Sequence, residues 1–295
     1  MSAPHSAPVR LVYPALRWVL LAFVALATLA WVALYLASER TDQSFAWTIE
    51  PPLTAAALGA GYGGALVMFL LAVRERVWAN VRIAVVPPLV LSAGTLAATL
   101  IHIDRFHLSA EALVPRTVAW VWLVVYVAVV PALAGAYWWH HRRPGRDPER
   151  EFPVPGWLSW LLSAQGVLLV GVGLALFIAP AAVGQVWPWE LTALTGRAIA
   201  AWLVGLGAAA ALATVENDLR RLRAGIAGYA VIAALLLGAL LRYGADVRWD
   251  SLAAWVFLAT VVSMLPMGVY PLWMTRHRAA VELAQEPGQD VGRPG

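Results

Sequence analysis

Six consecutive residues, HIDRFH at 102–107, hold the densest set of groups in this chain that could do chemistry: His102, Asp104, Arg105 and His107. Imidazoles and a carboxylate can ligate a metal or exchange protons with a substrate. A metal would need them to converge at a helical spacing of three or four, whereas the two histidines are five apart and fall on different faces of a continuing helix. Three readings stand at this point: an ion-pair network tying a helix end to a neighbouring loop, a ligand or lipid-headgroup site, and a metal, which the spacing favours least. In the second half, Asp246 and Arg248 of RYGADVRWD occupy the corresponding place.

A second pair of candidates is acidic. FAWTIEPPLT at 45–54 places Trp47 and Glu50 just before an uncharged helix-length run, and VWPWELTALT at 186–195 does the same with Trp187 and Glu190. An amphipathic indole ring suits the headgroup layer. Proline costs nothing at a helix start, and Thr54 and Thr195 can cap the first free amides. The bland reading is therefore a helix-start turn with an aromatic belt. The functional reading puts both carboxylates beside apolar rings at a two-fold mouth, where they would bind cations or protons.

The elements that must position these groups are membrane spans. Of 295 residues, 61% are hydrophobic and 13% charged, and the mean hydropathy is +0.70. Soluble domains carry about 25% charged residues. Eight apolar runs, 16–37, 53–73, 83–101, 117–139, 157–179, 198–215, 224–241 and 252–274, reach the roughly 20 residues that a hydrocarbon core requires. They do not alternate in polarity, so helices rather than barrel strands are expected. The fold class is an all-α membrane protein. No charged residue lies near the centre of a span; Gln165, Tyr62, Tyr126, Thr95, Thr99 and Ser263 are the most polar groups at depth.

The chain has no cysteine, and all 21 basic residues are arginine. Disulfides, thiolate sites and lysine Schiff bases are thereby excluded. Fifteen arginines fall in the termini and the even-numbered loops against six on the other side, which predicts a cell-membrane protein with both termini cytoplasmic. Arginines spread over short loops point to membrane orientation rather than nucleic acid. Membrane lipids and a small-molecule or lipid ligand are the expected partners, and no cofactor or metal is expected.

The chain also repeats. Residues 119–143 align without gaps on 254–278 with eight identities, among them Trp120/Trp255, Pro131/Pro266 and Arg143/Arg278. Upstream, Trp47 and Glu50 fall on Trp187 and Glu190. This predicts two parallel four-helix repeats, 1–139 and 157–278, joined by a cytoplasmic linker at 140–156 and followed by a disordered tail at 279–295. Gly59/Gly63, Ala60/Gly64 and Gly205/Ala209 offer small faces for close helix packing. Pro87-Pro88, Pro131 and Pro266 interrupt three of the helices.

The stretches FAWTIEPPLTAAALGAGY, HIDRFH and AWVWLVVYVAVVP resemble an uncharacterised family of multi-pass integral membrane proteins of high-GC bacteria. The resemblance implies a helical membrane fold and brings no activity with it. Three functions are compatible with the sequence: a transporter-like or ligand-binding protein with its site between the halves, a non-catalytic assembly subunit, and an enzyme acting on a lipid headgroup with His102, Asp104 and His107 as acid and base.

Overall fold

The structure is a computed structural model describing the backbone of residues 8–285 and side chains as far as residue 274. Among the described residues, eight helices are long and apolar enough to cross a membrane: α1 Pro14–Leu36, α2 Pro52–Ala72, α3 Trp78–Ile101, α4 Leu113–Arg142, α5 Gly156–Ile178, α6 Ala193–Glu216, α7 Leu219–Asp246 and α8 Leu252–Met274. The chain is a multi-pass, all-α membrane protein. An even number of spans brings both ends to one side, the terminal face. The α8 helix runs on to Gln285, because Ala, Glu, Leu and Gln at 279–285 are strong helix formers. The 279–295 tail is thus helical as far as Gln285, and its remainder lies outside the described residues.

Local chemistry sets the helix ends. Thr192 caps α6 in a reciprocal box with Thr195. Thr195 is therefore the partner of the cap, while Thr54 sits within the first turn of α2 and accepts a hydrogen bond from Trp189 Nε1 at 2.9 Å. Asn217 turns the chain sharply between α6 and α7 at φ 43°, a left-handed conformation that asparagine tolerates. Asp218 then caps α7, so that helix starts at Leu219 and absorbs the arginines of LRRLR. Pro87-Pro88 open the regular part of α3 after a 3₁₀ turn at Arg82–Ala84, whereas Pro131 and Pro266 lie inside continuous helices.

The helices pack as two rows. One runs α5, α6, α3, α4 and the other α1, α2, α7, α8, each helix closely packed on the next. Lipid is as apolar as leucine, so close backbone approach rather than hydrophobicity draws these helices together. At the α2–α7 crossing the approach is mutual. A Cβ on Gly64 would lie 2.5 Å from the Gly228 carbonyl oxygen, and one on Gly228 2.7 Å from that of Gly64. Gly59 likewise lies under the backbone of Leu34 and Tyr35, where α1 widens into a π-helical turn at Val32–Leu36.

Trp47, Trp187 and Trp189 are buried and do not form a belt. Trp47 packs tilted or edge-on among Phe45, Phe106 and Trp122, and Trp187 and Trp189 pack on Phe257. Other indoles are exposed, among them Trp120, Trp249 and Trp255 near the far face and Trp18, Trp138, Trp139, Trp157, Trp160 and Trp273 near the terminal face.

Candidate functional site: a cavity at membrane depth

Between the two rows lies a cavity of about 630 Å³, within the range of small-molecule sites. Its walls extend from Ala37 and Phe45 near the far face to Ile83, Leu219 and Leu222 near the terminal face. α1 and α4 form its two flanks and do not pack closely on each other. Leu29 of α1 lines the cavity and is still 68% exposed, and Val121 of α4 is likewise both lining and exposed. The cavity therefore opens sideways, toward where lipid would lie. No charged side chain is among its lining residues.

Besides the hydroxyls of Ser44, Ser92 and Thr117, two tyrosine-centred hydrogen-bond groups interrupt this apolar wall. Halfway along α2 the Tyr62 hydroxyl meets that of Tyr126 from α4 at 2.6 Å, with Trp122 and Trp202 packed around the pair. Farther toward the terminal face, Tyr229 donates to Gln165 Oε1. Gln165 in turn donates to the Thr260 carbonyl at 3.2 Å and the Ser263 hydroxyl at 3.1 Å. That second network consumes its own donors and ties α5 to α8.

The candidates at the far face are distributed rather than gathered. His107 holds the α1–α2 loop: its Nδ1 lies 3.0 Å from the Phe45 carbonyl and its Nε2 3.2 Å from the Thr48 hydroxyl. A carbonyl only accepts, so Nδ1 carries the proton. Arg248 does the same for the α5–α6 loop, donating to the carbonyls of Gln185 at 3.1 Å, Gly184 at 3.2 Å and Trp187. The two backbones repeat the arrangement, with His107 N donating to Ala46 O and Arg248 N to Pro188 O. His102 turns instead to α6, where its Nε2 accepts from Arg197 at 2.7 Å. Burial, and then the Arg197 charge, hold its imidazole below the ordinary histidine range. Asp104 and Arg105 pair with each other at 3.2 Å and are 68% and 73% exposed; they tie no loop, since neighbours in sequence at a solvated helix end reach each other first. Glu50 and Glu190 are exposed and make no ion pair or side-chain hydrogen bond among the described residues. Asp246 is half-buried with an unpartnered carboxylate oxygen.

Sequence reasoning missed a charged cluster on the terminal face. Glu216, the last residue of α6, is 4% exposed and pairs with Arg82 at 3.1 Å and Arg221 at 2.9 Å. Arg82 also binds Asp147, and Arg221 the Pro148 carbonyl. Asp218 accepts four backbone amides, those of Glu151, Phe152, Arg220 and Arg221. Residues 140–156 are thereby clamped across the ends of α3, α6 and α7 rather than left as a free linker. The available signal was the Asn-Asp pair ahead of LRRLR, which reads as a helix stop followed by a cap.

No protein-family model matches this chain, and no curated protein or solved structure matches it either.

Proposed function

We propose that this membrane protein binds a lipid-soluble ligand in the cavity between its two helix rows, loading it sideways between α1 and α4. The observation that carries this reading is a cavity of about 630 Å³ with apolar walls, open beside exposed Leu29 and Val121. A site for a water-soluble substrate would need polar groups to replace its hydration shell, and the uncharged wall favours a ligand that arrives from the bilayer. Transport of that ligand between faces belongs to the same proposal. The protein resides in the cell membrane with both termini cytoplasmic, the arginine asymmetry being the support.

In this reading the chain is two parallel repeats, α1–α4 and α5–α8. Exchanging α1 with α5, α2 with α6, α3 with α7 and α4 with α8 turns the row α5, α6, α3, α4 into the row α1, α2, α7, α8. The paired loop clamps of His107 and Arg248 support the same exchange. An experimental map in which 14–142 and 156–274 arrange their helices in different orders would overturn it.

Native mass spectrometry of protein released from nanodiscs tests the ligand. A discrete small mass should accompany the wild type and be absent from Ala65→Phe/Ala209→Phe, which fills the cavity. A chain that is bare in both, or bound stoichiometrically to another polypeptide, would sink the ligand reading, and the second result would favour an assembly subunit. Location is tested by single-cysteine labelling, simplified because the chain has no cysteine. Gln43→Cys should react from outside the cell and Arg74→Cys should not.

A further inference from the structure

The chemical class of the ligand follows from a proton count at the tyrosine pair, and it rests on the reading of the cavity as a ligand site. Tyr62 and Tyr126 both line the cavity, and their hydroxyls meet at 2.6 Å. Each phenol has one proton and the contact between them uses one. The buried Thr95 hydroxyl lies beside Tyr126 and has no other partner; a contact there adds one proton and uses one, so the count is unchanged. Two further donors beside the pair are already engaged: Trp122 Nε1 donates to Thr99 Oγ1 at 3.1 Å, and that hydroxyl to the Thr95 carbonyl at 2.8 Å. One hydroxyl proton of the group is thus left without an acceptor at the cavity wall, midway along α2.

Three observations then describe what accepts that proton. The acceptor sits midway along α2, far from either interface, so its carrier has a polar group that travels to the membrane midplane. The lining holds no arginine, lysine or histidine, so that group is uncharged; a phospholipid would strand its phosphate there at high cost. The groups flanking the site are flat rings, with Trp202 at 5.1 Å and Trp122 at 6.5 Å from Tyr62, and Trp122 at 4.5 Å from Tyr126, centroid to centroid. Such edges and faces favour a planar guest. We propose that the cavity binds a neutral, ring-bearing carbonyl lipophile of the quinone class, its carbonyl oxygen accepting the phenolic proton that the Tyr62–Tyr126 pair leaves unused.

Calorimetric titration of the full chain in nanodiscs tests this, with decylubiquinone as the probe and decylbenzene as the matched ligand that has a ring and tail but no carbonyl. The wild type should bind decylubiquinone about tenfold more tightly, the ratio expected of one hydrogen bond made away from water. Tyr62→Phe and Tyr126→Phe alone should keep most of that preference, because the remaining phenol still has its proton to give. The double variant should bind both probes equally, with decylbenzene affinity unchanged. Equal binding of the two probes by the wild type would overturn the proposal and leave an apolar-ligand cavity standing, as would a double variant that keeps the tenfold preference. Binding of neither probe, or binding unaffected by Ala65→Phe/Ala209→Phe, would overturn it together with the cavity reading on which it rests.

Discussion

Glu216→Gln probes the terminal-face clamp at its centre. The carboxylate is almost fully enclosed and touches two guanidiniums, at 3.1 and 2.9 Å. At a charge separation of about 4 Å and an effective permittivity near 20, each contact has a gross attraction of about 4 kcal/mol. The loss is partly offset, because Arg82 keeps Asp147 and Arg221 keeps the Pro148 carbonyl, and a glutamine oxygen can still accept one hydrogen bond. Breaking a buried pair from one side costs about 3–5 kcal/mol, and the lower end applies here. At 2–4 °C per kcal/mol for chains of comparable size, the apparent Tm should fall by roughly 10 °C. The assay is thermal unfolding in mild detergent followed by tryptophan fluorescence, with Glu216→Met/Arg221→Met as the comparison. An apolar pair of similar volume removes both charges and should recover much of the loss. A Glu216→Gln protein as stable as the wild type, or a Met/Met protein less stable than Glu216→Gln, would refute the argument that stranded charge, rather than lost packing, sets the cost.

Other outcomes follow from the same geometry. Because His102 is held below its ordinary pKa, the unfolded chain takes up its proton first as pH falls below about 6.5, and the folded state loses stability across that window. His102→Gln keeps an acceptor for Arg197 and should lose this part of the pH dependence, seen as a shallower drop in Tm between about pH 7 and pH 5, with no difference above that range. Gly64→Ala drives a methyl into the Gly228 carbonyl and should cost about 1–3 kcal/mol in denaturant titration. Arg248→Ala releases four carbonyls between α5 and α6, those of Gly184, Gln185, Trp187 and Trp189, so hydrogen exchange should quicken at 184–189 and not at 45–49. His107→Ala should give the converse pattern.

Much of the scaffold was legible because a span is a local property: about twenty apolar residues announce themselves without reference to anything distant. Boundaries moved where capping overrode composition, as when Asp218 drew Arg220 and Arg221 into α7. The belt assignment of Trp47 and Trp187 missed because hydropathy does not say whether a ring near a helix start faces lipid or a neighbouring helix. The polar residues at depth were visible singly. Tyr62 and Tyr126 are 64 positions apart, however, and only the folding of α4 beside α2 and α3 makes them a pair. The cavity was illegible for a deeper reason, since it is defined by two helices that do not pack on each other. The terminal clamp escaped because Arg82, Asp147, Glu216 and Arg221 each look like ordinary loop charges.

The flanks of the cavity carry a further consequence. α1 and α4 are fastened together near both of their ends. At the terminal face the Tyr13 amide donates to His140 Nε2 at 3.1 Å, and His140 stacks on Trp78. At the far face Phe45, carried on the loop after α1, packs edge-on against Trp122 of α4. Between these fastenings no close packing joins the two helices, like staves held by the hoops alone. On the proposed reading of the cavity, a ligand would pass between these fastenings while neither rim opens, so its loading need not create a leak for ions or protons across the membrane.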